Sequence, residues 1–287
     1  NHHHLWVEAM KTEINSLVAK KTIVKLDAEA AQCLREKSRQ NMPNVWEGNR
    51  LKELPGKIVA TIKPPSKFKA RIVVCGNHVG NEPVNKADIY SGGVESTSLR
   101  TVLRFAALQG WHAGTTDVST AFLNADLNLP YEIIVYPPKI LVAMGLVDAE
   151  EVWLIKKALY GLRESPRAWG DERDAKLRYV VVTIRGMPHR LRQLATDPSV
   201  WLVEEAPVEF IRERINPYIV QIIRKFLGRP VVGHLLTYVD DIPVTGRQAV
   251  VHCVLSKIRT VWICSEGENT CRGETVAYCG VNITRNL

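Results

Sequence analysis

At 287 residues, with 46% hydrophobic and 24% charged side chains, the chain has the make-up of a globular protein larger than one average domain, which excludes global disorder. No apolar run approaches the about 18 residues a membrane span needs, and no secretory signal opens the sequence. Thirty-eight Lys and Arg against 30 acids leave a formal charge of +8, which suits a polyanionic partner and equally an ordinary basic protein.

The first residue is Asn rather than Met, so the chain reads as a piece of a longer polyprotein. The run His2–His4 is open between tag remnant, metal-binding tract and native sequence. Leu5, Met10, Ile14, Leu17 and Val18 lie close to a helical stripe. The polar stretch after them, with Pro43, Gly48, Pro55 and Gly56, reads as a long connection. "KIVATIKPP" and "KFKARIVVCG" predict two strands around a Pro-Pro turn, a hairpin carrying Lys63, Lys67, Lys69 and Arg71. A Gly-, Asn- and Pro-rich loop is expected from Gly76 to Gly93. Leu99, Val102, Leu103 and Ala106 then recur at helical spacing, with Ser and Thr before them and Gly110 as a stop.

A short strand is expected to end near Asp117, and "YEIIVYPP" is a strand halted by Pro137 and Pro138. Ser165 and Pro166 mark the N-cap and first position of another helix. "VVVTIRG" and "SVWLVEE" read as strands, with Arg185, His189, Arg190 and Arg192 as a basic run that either follows a nucleic-acid backbone or is plain surface. Between Ala206 and Pro230, Ile219, Ile222, Ile223, Phe226 and Leu227 keep helical spacing, as a packed insertion or as an amphipathic helix for a partner. "LLTYVDDIPVT" is a hairpin, Gln248 to Val261 a helix, and "ETVAYCGVNI" a last strand pair. Strands and helices mixed without regular βαβ alternation predict an α+β architecture. Six cysteines without a CxxC pair argue against a zinc ribbon and read as reduced thiols of an intracellular protein.

Two carboxylate sites stand out: Asp117 at a strand end, and Asp240 with Asp241 at a hairpin tip. They are 123 positions apart (240 minus 117), so only a fold could unite them. On adjacent strands they would crowd three acids onto one sheet edge, an arrangement costly alone and suited to hard cations such as Mg²⁺. Otherwise they are a solvated turn and a strand cap.

The words around the acids add to this. "KARIVVCGN", "TTDVSTAFLNADL", "KKALYGLRESPRAW" and "LLTYVDD", in this order, resemble the reverse transcriptase domain of copia-type (Ty1/copia) LTR retrotransposons. The opening "LWVEAMKTEINSL" and the closing "AYCGVNI" resemble that family's start and end, so the likeness covers nearly the whole chain. It implies a right-hand polymerase with fingers and palm, an antiparallel palm sheet with packed helices, and a thumb largely missing. The implied division is 1–92 as N-terminal helix and fingers, 93–122 as palm, 123–164 as fingers again, and 165–287 as palm ending at a primer-grip-like strand. The implied function is RNA-directed DNA synthesis by two-metal phosphoryl transfer, with two Mg²⁺ ions, Mn²⁺ as substitute, and a primed RNA or DNA template with dNTPs as partners.

By the same resemblance Asp117 and Asp240 hold the metal ions and Asp241 supports them. Phe122 matches an aromatic gate that excludes a 2′-OH, though by itself it reads as a core aromatic. Lys69 and Arg71 match a basic strand that reaches the triphosphate, though a bare strand would more often carry them as a solvated face. Tyr160 and Gly161 match the loop against the incoming nucleotide, and Tyr278, Cys279 and Gly280 the turn that grips the primer. Integrase and RNase H domains would lie outside this chain, with no membrane association and a location in cytoplasmic particles or the nucleus.

Some residues depart from the pattern. Glu164 replaces a usual Gln and Ala125 a frequent Gly. Pro243 stands where a strand residue should donate, and is expected to weaken the second hairpin strand or confine it to an edge. A decayed or co-opted fragment that binds nucleic acid without polymerising is the rival reading. Another two-metal enzyme, such as a nuclease, would need neither the gate nor the Tyr160-Gly161 loop.

Overall fold

The computed structural model describes residues 2–40, 51–78, 92–206 and 230–285. In chain order its first elements are α1 (His3–Ala19), β1 (Ile23–Leu26), α2 (Ala28–Gln40), β2 (Leu51–Lys63), β3 (Lys67–Val74), α3 (Ser96–Leu108), β4 (His112–Gly114) and β5 (Glu132–Tyr136). There follow α4 (Lys139–Ala143), β6 (Val152–Ile155), α5 (Ser165–Arg178), β7 (Val181–Ile184), β8 (Met187–Gln193) and β9 (Val200–Glu205). The last are β10 (Val231–Leu236), β11 (Val244–Gly246), α6 (Gln248–Val261), β12 (Val276–Tyr278) and β13 (Val281–Ile283). The mixture is α+β with largely antiparallel sheets, as the pattern predicts. Two compact units share the chain: Asn1–Tyr90 with Phe122–Glu172, and Ser91–Ala121 with Arg173–Leu287.

The first unit is built on a five-stranded sheet ordered β1-β6-β5-β2-β3. Helix α1 buries Met10, Glu13, Ile14 and Leu17, whereas Leu5 and Val18, on the same expected stripe, are exposed. The core joins Leu17, Leu54, Ile72, Val135 and Trp153. Pro55 and Gly56 are strand residues rather than part of a connection. β2 runs parallel to β5 over Leu51–Pro55, then antiparallel to β3 from Gly56 onward. Proline's missing donor falls at this change of partner, while its carbonyl accepts from the Cys75 N–H.

Helix α2 also lies where a connection is expected. Asp27 caps it, its carboxylate accepting from the Ala30 N–H at 2.8 Å, and Glu29 and Lys37 sit at the ends that suit their charges.

The second unit holds a six-stranded antiparallel sheet, β4-β11-β10-β9-β8-β7, and the separate pair β12-β13. Helix α3 buries Leu99, Val102 and Ala106 and stops as predicted: Gly110 takes φ 61°, and the next N–H, of Trp111, returns to the Ala106 carbonyl. Helix α6 buries Val250, Val251, Val254, Leu255 and Ile258.

Several details correct the expectations. Ser165 does not cap α5; its hydroxyl donates to the Leu159 carbonyl and accepts from the Leu159 N–H, closing the turn that precedes the helix. His189, Arg190 and Arg192 of the basic run lie on β8, reached from β7 by a tight turn at Arg185 and Gly186, both at positive φ. There Arg190 and Arg192 bind the buried carboxylate of Glu204 at 2.9 and 2.8 Å, and His189 is buried. Pro243 does not put its strand at an edge, because β11 lies between β4 and β10. Its carbonyl still accepts from the Leu236 N–H, and the ladder holds on both sides, at Tyr238 with Asp241 and from Leu235 with Val244. Most of the expected Gly76–Gly93 loop and of the Ala206–Pro230 insertion lies outside the described residues.

Candidate active site

In the second unit the chain leaving β4 becomes a central extended segment between two others. Thr116 and Ile242 exchange N–H···O bonds at 2.9 and 3.2 Å, and the Val118 N–H donates to the Asp240 carbonyl at 2.9 Å. Asp117 and Asp241 form an antiparallel bridge, so backbone register brings the two carboxylate sites side by side. On the other flank the Ser265 N–H donates to the Asp117 carbonyl at 2.9 Å, and Val118 bridges Cys264.

The hairpin tip is a two-residue turn, with Tyr238 and Asp241 exchanging both backbone bonds. Val239 takes φ 52° while Asp240 keeps a negative φ, the pattern of a type II′ turn, which favours Gly at the first position. A β-branched side chain there is strained by about 1–3 kcal/mol.

All three acids are half-buried. Burial, then the charges of Asp240 and Glu268, pushes the Asp241 carboxyl above its ordinary range. The Asp241 carboxylate therefore lies in a negative surrounding, which a bound cation would relieve. Among the described residues no group of three or more His, Cys, Asp or Glu is drawn together as a metal cage. Mg²⁺ needs no such cage, since it binds through one or two carboxylates and completes its shell with water and phosphate. The donor chemistry of Asp117, Asp240 and Asp241 fits that ion.

The β12–β13 hairpin carries the three primer-grip candidates. Cys279 and Gly280, at φ 46° and 75°, form its turn and are exposed, whereas Tyr278 is buried with Leu99, Val102, Val200 and Leu236. The Tyr278 hydroxyl lacks a hydrogen-bond partner of good geometry, the Cys279 thiol being its polar neighbour. Burial, with Cys279 and Asp241 adding to it, raises the Tyr278 pKa, and burial and Asp241 raise that of Cys279 although Tyr278 opposes the shift. The hairpin thus feels the charge of the acid site.

In the first unit the structure gathers the other candidates. The Arg71 guanidinium lies over the Tyr160 ring at 5.1 Å, and Phe122 meets the same ring edge-on at 5.3 Å. Phe122 is half-buried rather than a core aromatic. The Tyr160 carbonyl accepts from the Val74 N–H at 2.8 Å, tying the loop to the end of β3. Gly161 takes φ 90°, and a Cβ there would run into the Val74 carbonyl oxygen, so only glycine fits. Lys69 lies two residues before Arg71 on β3, partly exposed.

Glu164, the departure from the expected Gln, is not a bare charge. It accepts from the Tyr131 hydroxyl at 2.6 Å, and the Lys52 ammonium sits over the Tyr131 ring at 3.9 Å. Neither Tyr131 nor Lys52 is named in any motif, and only the fold brings Tyr131 to Glu164 and Lys52 to Tyr131.

Comparison with known proteins supports a reverse transcriptase relationship, and the family match takes in three of the four quoted motifs, "LLTYVDD" lying beyond it. Residues 45–184 match the family "Reverse transcriptase (RNA-dependent DNA polymerase)". The Retrovirus-related Pol polyprotein from transposon RE2 of Arabidopsis thaliana is 29% identical over 189 residues, 65% of this chain and 10% of that protein. That from transposon RE1 of the same plant is 28% identical over 67% of this chain and 11% of its own length, and that from transposon TNT 1-94 of Nicotiana tabacum is 29% identical over 63% and 11%. The chain thus spans about a tenth of the length of the curated relatives it matches. A solved foamy viral protease-reverse transcriptase aligns over 97% of this chain and 34% of its own, with 11% identity and a TM-score of 0.37, too loose a likeness to carry weight.

Proposed function

We propose that this chain, related by family match and by sequence to the reverse transcriptase domains of copia-type retrotransposons, adds deoxynucleotides to a primer on an RNA or DNA template. The observation that carries the reading is the bridge of Asp117 to Asp241, which sets acids from distant parts of the sequence beside each other. In this reading the second unit is the palm and the first the fingers.

The reaction is attack of the primer 3′-oxygen on the α-phosphorus of a dNTP, with pyrophosphate leaving. Asp117 and Asp240 would hold Mg²⁺, with Asp241 in support; a bound pair of such ions supplies Lewis-acid activation and charge neutralisation at the phosphates. The protein's own share is positioning and electrostatics. Lys69 and Arg71 donate charge-assisted hydrogen bonds to the triphosphate and offset the charge of the leaving group. Phe122, braced by Tyr160, occupies the room a 2′-OH would need. Gly161 lets the backbone come close to the substrate. The Cys279-Gly280 turn supports the primer end.

A second reading, nucleic-acid binding without polymerisation, draws on one observation: Glu164 places an acid where the family pattern has Gln, three residues after Gly161. Single-nucleotide incorporation on a primed template separates the two. The polymerase reading expects the wild type to take a dNTP and refuse the matching rNTP, and Phe122→Val to accept both. Template binding with no incorporation of either nucleotide by the wild type would support the second reading instead.

A further inference from the structure

Strand β3 is the edge of its sheet, so every second N–H along it points away from β2. Two of these are taken up from outside the sheet. The Val74 N–H donates to Tyr160, as described, and the Ile72 N–H donates to Oε1 of Glu13 at 3.2 Å. Arg71 therefore stands immediately before two pinned positions, with its guanidinium on the ring of one of the pinning residues.

Glu13 is an unusual residue for its place. It is 7% exposed, on the face of α1 that otherwise buries Met10, Ile14 and Leu17. Burying a carboxylate among apolar side chains costs free energy that an aliphatic residue would not incur. Burial accordingly pushes its carboxyl up, while the Ile72 N–H, then Lys69 and Arg71, pull it back down. Helix α1 has other ways to grip the strand, such as the edge-to-face contact of Trp6 with Phe68 at 4.7 Å. The carboxylate adds what packing cannot: a directed hydrogen bond to the edge and a negative charge beside the two cations.

We infer that Glu13 is a positioning residue for substrate binding, fixing the height and register of β3 so that Lys69 and Arg71 are presented to the triphosphate. The inference rests on the reading of those two cations as triphosphate contacts.

The test uses the whole chain and dTTP with Mg²⁺, reading the Kd by calorimetry without primer and, in primer extension, KM and kcat separately. Glu13→Ala is expected to raise the Kd and KM about fivefold, the worth of one net hydrogen bond, with kcat little changed. Glu13→Gln keeps an oxygen for the Ile72 N–H and is expected to restore most of the affinity. Ile14→Ala, in the same helix core, is expected to lower thermal stability without moving the Kd. An unchanged Kd in Glu13→Ala, a Glu13→Gln as weak as Glu13→Ala, or an equal loss in Ile14→Ala would each overturn the inference. If Arg71→Ala itself leaves dTTP affinity untouched, the reading of the strand fails and the role of Glu13 falls with it. A loss in Arg71→Ala without one in Glu13→Ala removes Glu13 alone.

Discussion

Val239 and Gly161 are both held at positive φ, and opposite residue types occupy the two positions. At the acid hairpin a β-branched side chain endures a turn made for glycine, so Val239→Gly is expected to stabilise the protein by about 1 kcal/mol, strain relief outweighing the added chain entropy. A lower melting temperature in Val239→Gly would show that the turn is not strained. At Gly161 the reverse substitution meets the Val74 carbonyl as well as the unfavourable φ. Gly161→Ala should cost at least about 2 kcal/mol, against about 1 kcal/mol for Gly145→Ala, where φ is 66° and nothing lies within 4 Å. Equal losses in denaturant unfolding would mean that the close approach to β3 does not hold. The residue types at these sites were legible: the paired aspartates, Phe122 and the Tyr160-Gly161 step stand in quotable motifs. What was not legible is what each one touches. Tyr131 donates to Glu164 from 33 residues away (164 minus 131), with Lys52 over its ring, and no local pattern marks either of them.

Strand β10 contains the clearest titration. His234 is buried against Phe105 and Trp111, and burial pushes its pKa down to about 4 from 6.5. The unfolded chain therefore takes up the proton first on acidification. The stability this histidine supports is present above about pH 6.5 and is lost as pH falls toward 4, by at most about 3 kcal/mol. Urea unfolding at about pH 7 and pH 4.5 should show a steep loss in the wild type and a shallower one in His234→Phe. Parallel losses in the two proteins would assign the acid sensitivity to other groups. At this scale legibility followed periodicity and its limits. Helix α3 was readable because its apolar stripe, its start and its Gly110 stop agree. Helix α2 was not, because its apolar residues are few and small in a strongly polar segment, although Asp27 and the charge order were a usable signal. β8 was hidden for a similar reason: Arg190 and Arg192 look like surface until the fold sets buried Glu204 opposite them. Pro243 looked incompatible with an interior strand because the residue type says nothing of which single bond it omits.

For the whole chain, the excess of eight positive charges and the proposed substrate make one joint prediction. Affinity for a single-stranded template should fall about tenfold or more between about 50 and 200 mM salt, since each phosphate neutralised releases counterions. Binding indifferent to salt would contradict a nucleic-acid backbone as the partner. Among the described residues no helix is long and apolar enough to cross a membrane. The α+β class was legible from the mixture of strand and helix patterns. The pairing of Asp117 with Asp241 was not, because register between segments 123 positions apart is set by the whole sheet rather than by either motif. That pairing is also the centre of the functional proposal, and primer extension on an RNA template with Mg²⁺ and dNTPs tests it most directly. The wild type is expected to extend the primer, and Asp240→Asn to lose about a hundredfold or more in rate while still binding template. Equal extension by both proteins, or template binding by both with extension by neither, would contradict it.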